Sequence, residues 1–88
     1  MSKSLLITGG AGFIGSHAVE HWVRHYPDVH VIVLDKLTYA GDPANLKACQ
    51  GLGSWELVEG DVCDADLVRG LFAKHRIDSV MHLAAESH

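Results

Sequence analysis

An α/β fold with a doubly wound parallel sheet is predicted by three observations. Runs rich in β-branched residues alternate with segments of helical period along the chain. The first two runs are too continuously apolar for a hairpin that exposes one face. A glycine-rich turn joins the first run to the first helical segment, as in a β-α-β crossover.

The first strand is read at residues 4–8 (SLLIT) and the second at 30–35 (HVIVLD), with a helix over 12–26 between them. At 100° per residue, Ile14, Ala18, Val19, Trp22, Val23 and Tyr26 share an apolar arc. Ser16, His17, Glu20, His21 and Arg24 lie opposite. Gly15 falls inside the apolar arc, where glycine costs about 1 kcal/mol of helix propensity, so close packing of the helix on the sheet is expected. Pro27-Asp28 stops this helix. Residues 44–49 after Pro43 form a short helix, 51–54 a turn, and 55–59 the third strand. Asp64 is the N-cap of the next helix, which buries Leu67, Val68, Leu71 and Phe72 and ends near Lys74 and His75, where cations suit the helix dipole. The fourth strand is 79–84 (SVMHLA).

Right-handed crossovers then give strand order 3-2-1-4, with the first two helices on one face and the Asp64 helix on the other. Connections leave the first strand in both directions, so the crevice at the carboxyl ends of strands one and four is the expected ligand site.

The 88 residues bound this fold to one small domain with a modest core. A hydrophobic fraction of 48% and a charged fraction of 20% exclude disordered and low-complexity classes. Seven Lys and Arg against eleven Asp and Glu give a net charge of −4, with no basic patch for nucleic acid. No apolar run approaches the roughly 18 residues of a membrane span, and no signal peptide is read. Cys49 and Cys63 are expected to be free thiols of a cytoplasmic protein.

Residues 8–15 read TGGAGFIG, placing Gly9, Gly12 and Gly15 between the first strand and its helix. Gly9 suits a tight turn, and Gly12 lets a pyrophosphate approach the backbone. The helix start offers N–H groups near Phe13 and Ile14. Asp35, twenty residues after Gly15, ends the second strand, where a carboxylate accepts from ribose hydroxyls and repels a 2′-phosphate. That favours NAD over NADP, partly offset by the charge of Lys36. The plain alternatives are a tight β-α turn and a solvated strand end. The fold is thus expected to be of Rossmann type.

The glycine spacing is similar to that of the extended short-chain dehydrogenase/reductase family. Within it, DKLTYAG (35–41), GDVCD (60–64) and HLAAESH (82–88) resemble the NAD-dependent epimerase/dehydratase members that dehydrate dTDP-glucose. The resemblance implies that Phe13 and Ile14 lie at the pyrophosphate of NAD, and that Asp35, Lys36, Leu37 and Thr38, on the loop running to Gly41, surround the adenosine ribose. It places Asp61 and Val62 at adenine. Leu83, Ala84, Ala85, Glu86 and Ser87 would line the cofactor, with Ser87 also near the sugar-nucleotide substrate. After Gly41 this chain has Asp42-Pro43 where the family usually has Asn. Close packing for Ala84 and Ala85, and a solvated loop for Glu86 and Ser87, are the plain alternatives.

The implied activity is a redox-neutral lyase. Hydride leaves C4 of dTDP-glucose, water is eliminated across C5 and C6, and hydride returns to C6. The family's Y-x-x-x-K pair is absent: Tyr26 is followed four residues on by His30, and Tyr39 by Pro43. No catalytic residue is therefore assigned, and no turnover is expected of these 88 residues. They are read as the amino-terminal part of an NAD-binding domain whose substrate domain lies elsewhere in a longer, homodimeric parent. Val80, Met81 and Leu83 would then lie on an uncovered sheet edge. A related epimerase, decarboxylase or reductase, and a non-catalytic NAD-binding module, are the competing readings.

His17, Glu20 and His21 match H-x-x-E-H, a zinc-peptidase pattern. They lie on the polar arc of the first helix with no third ligand, so no metal site is assigned and a solvated face is expected. Cys49 and Cys63 are read as small semi-buried residues, and His82 as a packed, hydrogen-bonded core residue.

Overall fold

The computed structural model describes residues 3–9, 13–37 and 43–83. Strand β1 (Lys3–Thr8) leads into helix α1 (Phe13–His25), followed by β2 (Val29–Asp35) and a 3-10 segment, Pro43–Cys49. Strand β3 (Ser54–Glu59), helix α2 (Ala65–His75) and β4 (Ser79–His82) complete the described chain. All pairs are parallel and the order is β3-β2-β1-β4, as the crossover argument requires.

Side-chain alternation along the central strands builds two cores. Leu5, Ile7, Val31 and Val33 face Val19 and Val23 of α1, with Leu46 and Cys49 of the 3-10 segment filling the same layer. Leu46 and Cys49 are three residues apart, the spacing that a 3-10 turn stacks on one side. Trp55 Nε1 donates to the Cys49 carbonyl at 2.9 Å, tying this segment to β3. On the other face Leu6, Ile32 and Leu34 pack against Leu71, with Leu67 and Val68 partly buried beside it. The helices thus divide between the faces as expected.

Element ends shift by a residue or two. Strands β1, β2 and β3 each begin one residue early, and α1 ends at His25. Strand β4 ends at His82 instead of reaching 84, although Leu83 N still donates to Thr8 O at 2.9 Å.

The burial expectations for Ile14, Ser16, Tyr26 and Phe72 are corrected. Ile14 is 74% exposed while Ser16 is buried. The buried stripe of α1 is centred on Val19 and Val23 and runs back through Ser16 and Gly15, whereas Ile14 lies about 140° round the helix from Val19. Tyr26 is exposed because it follows the last helical residue, its ring resting on Trp22 at 4.6 Å. Phe72 is exposed at the flank of an α2 stripe centred on Leu71.

At the open edge, β4 pairs with β1 alone among the described strands, and Val80 is exposed. Met81 and Leu83, expected there too, are half-buried against the α1-side core. His82 is exposed, not a core residue, and Cys63 is exposed where a semi-buried position was expected. Both cysteines are free thiols, and burial, reinforced by the Glu20 carboxylate, pushes the Cys49 thiol up. No helix among the described residues is long and apolar enough to cross a membrane.

Candidate functional site

The carboxyl ends of the strands are laced into one edge. Gly9 N donates to Leu34 O at 2.8 Å, and Gly60 N to Asp35 O at 2.9 Å. These bonds align the exits of β1, β2 and β3. Thr8 Oγ1 lies 2.6 Å from His82 Nδ1, so the β4 exit is fastened by a side-chain bond as well as by Leu83 N.

Gly9 has φ of +75°, a left-handed conformation that glycine enters without a Cβ penalty. The chain can therefore turn sharply off β1 into α1. Helix α1 begins at Phe13 with no acidic residue in its first turn, so no carboxylate of that turn competes for the N–H groups of the helix start. Gly15 is buried, consistent with close seating of the helix on the sheet.

The β2 exit is a compact polar turn. Asp35 Oδ1 accepts from Leu37 N at 2.8 Å, and Leu37 has φ of +59°, unusual for a residue with a side chain. The turn is stabilised by that carboxylate bond and by packing of the Leu37 side chain on the α1-side core. Lys36 Nζ lies 3.5 Å from Asp61 Oδ2, which joins the exits of β2 and β3. Asp61 Oδ1 accepts from Cys63 N at 2.8 Å, and its backbone carbonyl accepts from Asp64 N at 2.9 Å. The Cys63 N–H, with Lys36 adding to it, holds the Asp61 carboxyl below the usual carboxylate range. Asp64 then caps α2, its carboxylate accepting from Leu67 N at 3.2 Å.

Gly9, Ile14, Gly15, Asp35, Lys36, Leu37, Asp61, Val62 and Leu83 are thus placed. Gly9, Asp35, Lys36, Leu37, Asp61 and Leu83 sit at the strand exits, while Val62 packs partly on the α2-side core. The helix start at Phe13 is described through its backbone alone. Gly12, Thr38, Gly41, Ala84, Ala85, Glu86 and Ser87 lie outside the described residues. The Lys36–Asp61 pair and the Thr8–His82 bond escape sequence reasoning. The first had a usable signal, since the exits of neighbouring parallel strands must lie side by side once the order is fixed.

This arrangement defines a Rossmann-like α/β protein with its polar site at the carboxyl edge of the sheet. The model of the GDP-mannose 4,6 dehydratase family matches residues 6–88, and the chain belongs to that family. It is 46% identical over 84 residues to dTDP-glucose 4,6-dehydratase 1 of Escherichia coli strain K12, covering 96% of this chain and 23% of that protein. It is 45% identical over 86 residues to a trifunctional UDP-glucose 4,6-dehydratase, epimerase and reductase of Arabidopsis thaliana, covering 98% of this chain and 13% of the relative. Among solved structures, dTDP-glucose 4,6-dehydratase from Bacillus anthracis in complex with NAD superposes with a TM-score of 0.90 at 32% identity. It is covered over 27% of its length by 97% of this chain. The enzyme DesIV of Streptomyces venezuelae, with NAD and TYD bound, gives 0.78 at 49% identity, with the same coverage of both chains. The chain therefore spans about a quarter or less of the length of these relatives.

Proposed function

We propose that these 88 residues are the amino-terminal part of the NAD-binding domain of a cytoplasmic, homodimeric dTDP-glucose 4,6-dehydratase. The observation that carries this reading is the pairing, on one edge, of the left-handed Gly9 turn into α1 with the Asp35 carboxylate one strand away. A helix start without acidic residues suits a pyrophosphate, and a carboxylate at the β2 exit suits ribose hydroxyls, so the donor set fits a dinucleotide. The printed contents of the Bacillus and Streptomyces structures support NAD as that dinucleotide.

Bound NAD would supply a reversible acceptor for the hydride that leaves C4 of the sugar and returns to C6, while water leaves across C5 and C6. The residues of this chain bind and orient: the α1 start holds phosphate and Asp35 holds ribose. Proton transfer belongs to residues outside this sequence, which has no Y-x-x-x-K pair. The substrate is read as dTDP-glucose because the relatives at 46% and 49% identity are dTDP-glucose dehydratases.

Calorimetric titration of the chain with NAD and NADP tests the cofactor, and Asp35→Asn tests the residue. NAD is expected to bind more tightly, and Asp35→Asn to weaken NAD about tenfold, the loss of a charged hydrogen bond to the ribose. Equal or tighter NADP binding by the unaltered chain refutes the reading. The longer parent is expected to convert dTDP-glucose faster than UDP-glucose, and the 88-residue chain to turn over neither.

A further inference from the structure

Among the described residues, one group of metal-ligating side chains converges, and it lies away from the cofactor edge. His30 stands near the start of β2, five residues or about 17 Å of strand before Asp35. Glu56 lies on the neighbouring strand β3, and His75 is the last residue of α2. Alternation brings them together: His30 shares the face of Ile32 and Leu34, and Glu56 stands opposite Ile32 in the β2–β3 register. His75 follows Leu71 by four residues and so continues the buried stripe of α2.

The three ligand atoms all lie within 4.8 Å of one another. His30 Nε2 is 2.9 Å from Glu56 Oε1, and His75 Nε2 is 3.6 Å from Glu56 Oε2, with the two imidazoles stacked at 5.5 Å. The four-coordinate zinc bond lengths of about 2.0–2.1 Å put neighbouring ligand atoms roughly 3.3 Å apart, so side-chain adjustments of an ångström or so would admit an ion.

Two further observations point to a ligand. His75 Nε2 is buried with no hydrogen-bond partner, since 3.6 Å is too long for one. An imidazole nitrogen in that position is costly unless something occupies its direction. In addition, Ser54 Oγ lies 2.5 Å from His30 Nδ1, which fixes the ring and turns Nε2 toward Glu56. That is the outer-shell support metal-bound histidines ordinarily have. The C-terminus of α2, where His75 sits, also favours a cation through the helix dipole.

We propose that His30, Glu56 and His75 form a binding site for a divalent transition metal, zinc being the best match to two imidazoles and one carboxylate. The ion would pin the end of α2 to the starts of β2 and β3 and leave a coordination position for water. It is a clamp on the fold and is separate from the Asp35 edge.

The test is titration of the 88-residue chain with Co(II), followed by displacement with Zn(II). One equivalent is expected, with the visible bands of a four-coordinate ion. His75→Gln and His30→Gln should each weaken binding by at least about tenfold, because even outer-shell losses cost 10–100-fold. A variant carrying His17→Gln, His21→Gln and His25→Gln should keep the site. Zn(II) should raise the melting temperature of the unaltered chain and not that of His75→Gln. X-ray absorption at the zinc edge on the unaltered chain needs no variant, and should show two imidazoles with carboxylate oxygen. Absence of saturable binding, a sulfur shell, or loss of binding only in the α1 variant overturns the proposal.

Discussion

The Lys36 ammonium lies 3.5 Å from the Asp61 carboxylate, so the cation that follows Asp35 is engaged by the next strand exit. Lys36 is the one residue of the β2 exit whose charge would welcome a 2′-phosphate. Its partner offsets that charge, and under the proposed function Asp35 would then dominate the choice of ribose. Asp61→Asn keeps an acceptor for Cys63 N and removes only the charge. It is expected to raise NADP affinity relative to NAD affinity about two- to fivefold, the range of an exposed ion pair, since any loss at adenine falls on both cofactors, read by calorimetry with each.

Gly51 and Gly53 both have positive φ, at +80° and +46°, and differ in their surroundings. A Cβ on Gly51 meets nothing within 4 Å, whereas one on Gly53 would stand 2.7 Å from the Val23 carbonyl oxygen. Gly51→Ala should therefore cost only the left-handed strain, about 1–2 kcal/mol. Gly53→Ala adds a clash with backbone that cannot rotate away, and should cost more in urea unfolding.

Asp64→Ala removes the carboxylate that accepts from Leu67 N at the start of α2. A loss of about 1 kcal/mol is expected, seen as a lower urea midpoint at constant slope. Asp64→Asn should recover most of it.

Glu56 gives the fold an acid-sensitive element. The hydrogen bond from His30 holds its carboxyl below the ordinary value of 4.5, with burial opposing and the charges of His75, His30 and Lys74 assisting. A lowered folded-state value means the stabilisation is fully present above 4.5 and disappears as pH falls through the folded value. Urea midpoints measured with chelator from about pH 6 to 3 should fall more steeply for the native chain than for Glu56→Gln.

The strand order and the division of helices between faces were legible because period and crossover handedness act over whole segments. Burial at helix starts and flanks was not. Ile14 and Phe72 are apolar and lie at the margins of stripes whose centres are set by the sheet, and a helical projection without the sheet cannot locate those centres. At the site, the Gly9 turn could be read because a sharp strand exit calls for glycine, and the position of Asp35 because it closes an apolar strand. The Lys36–Asp61 pair depends on β2 and β3 being neighbours, and the His30–Glu56–His75 cluster on strand register as well. Side-chain parity alone would have placed His30 and Glu56 on the α2 face.

Strand β1 bonds on both sides, to β2 along one edge and to β4 along the other. Ser4 N donates to Asp78 Oδ2 at 3.0 Å and Asp78 N returns a bond to Ser4 O, while Thr8 meets His82 at the far end. During synthesis, one edge of this first strand must wait for some seventy residues to follow it. At ordinary translation rates that is roughly 4–15 s with a buried apolar strand half-templated. The β1–β4 contacts are thus the slowest to become available among those of the described sheet, and nascent chains are most open to mispairing or chaperone capture in that interval.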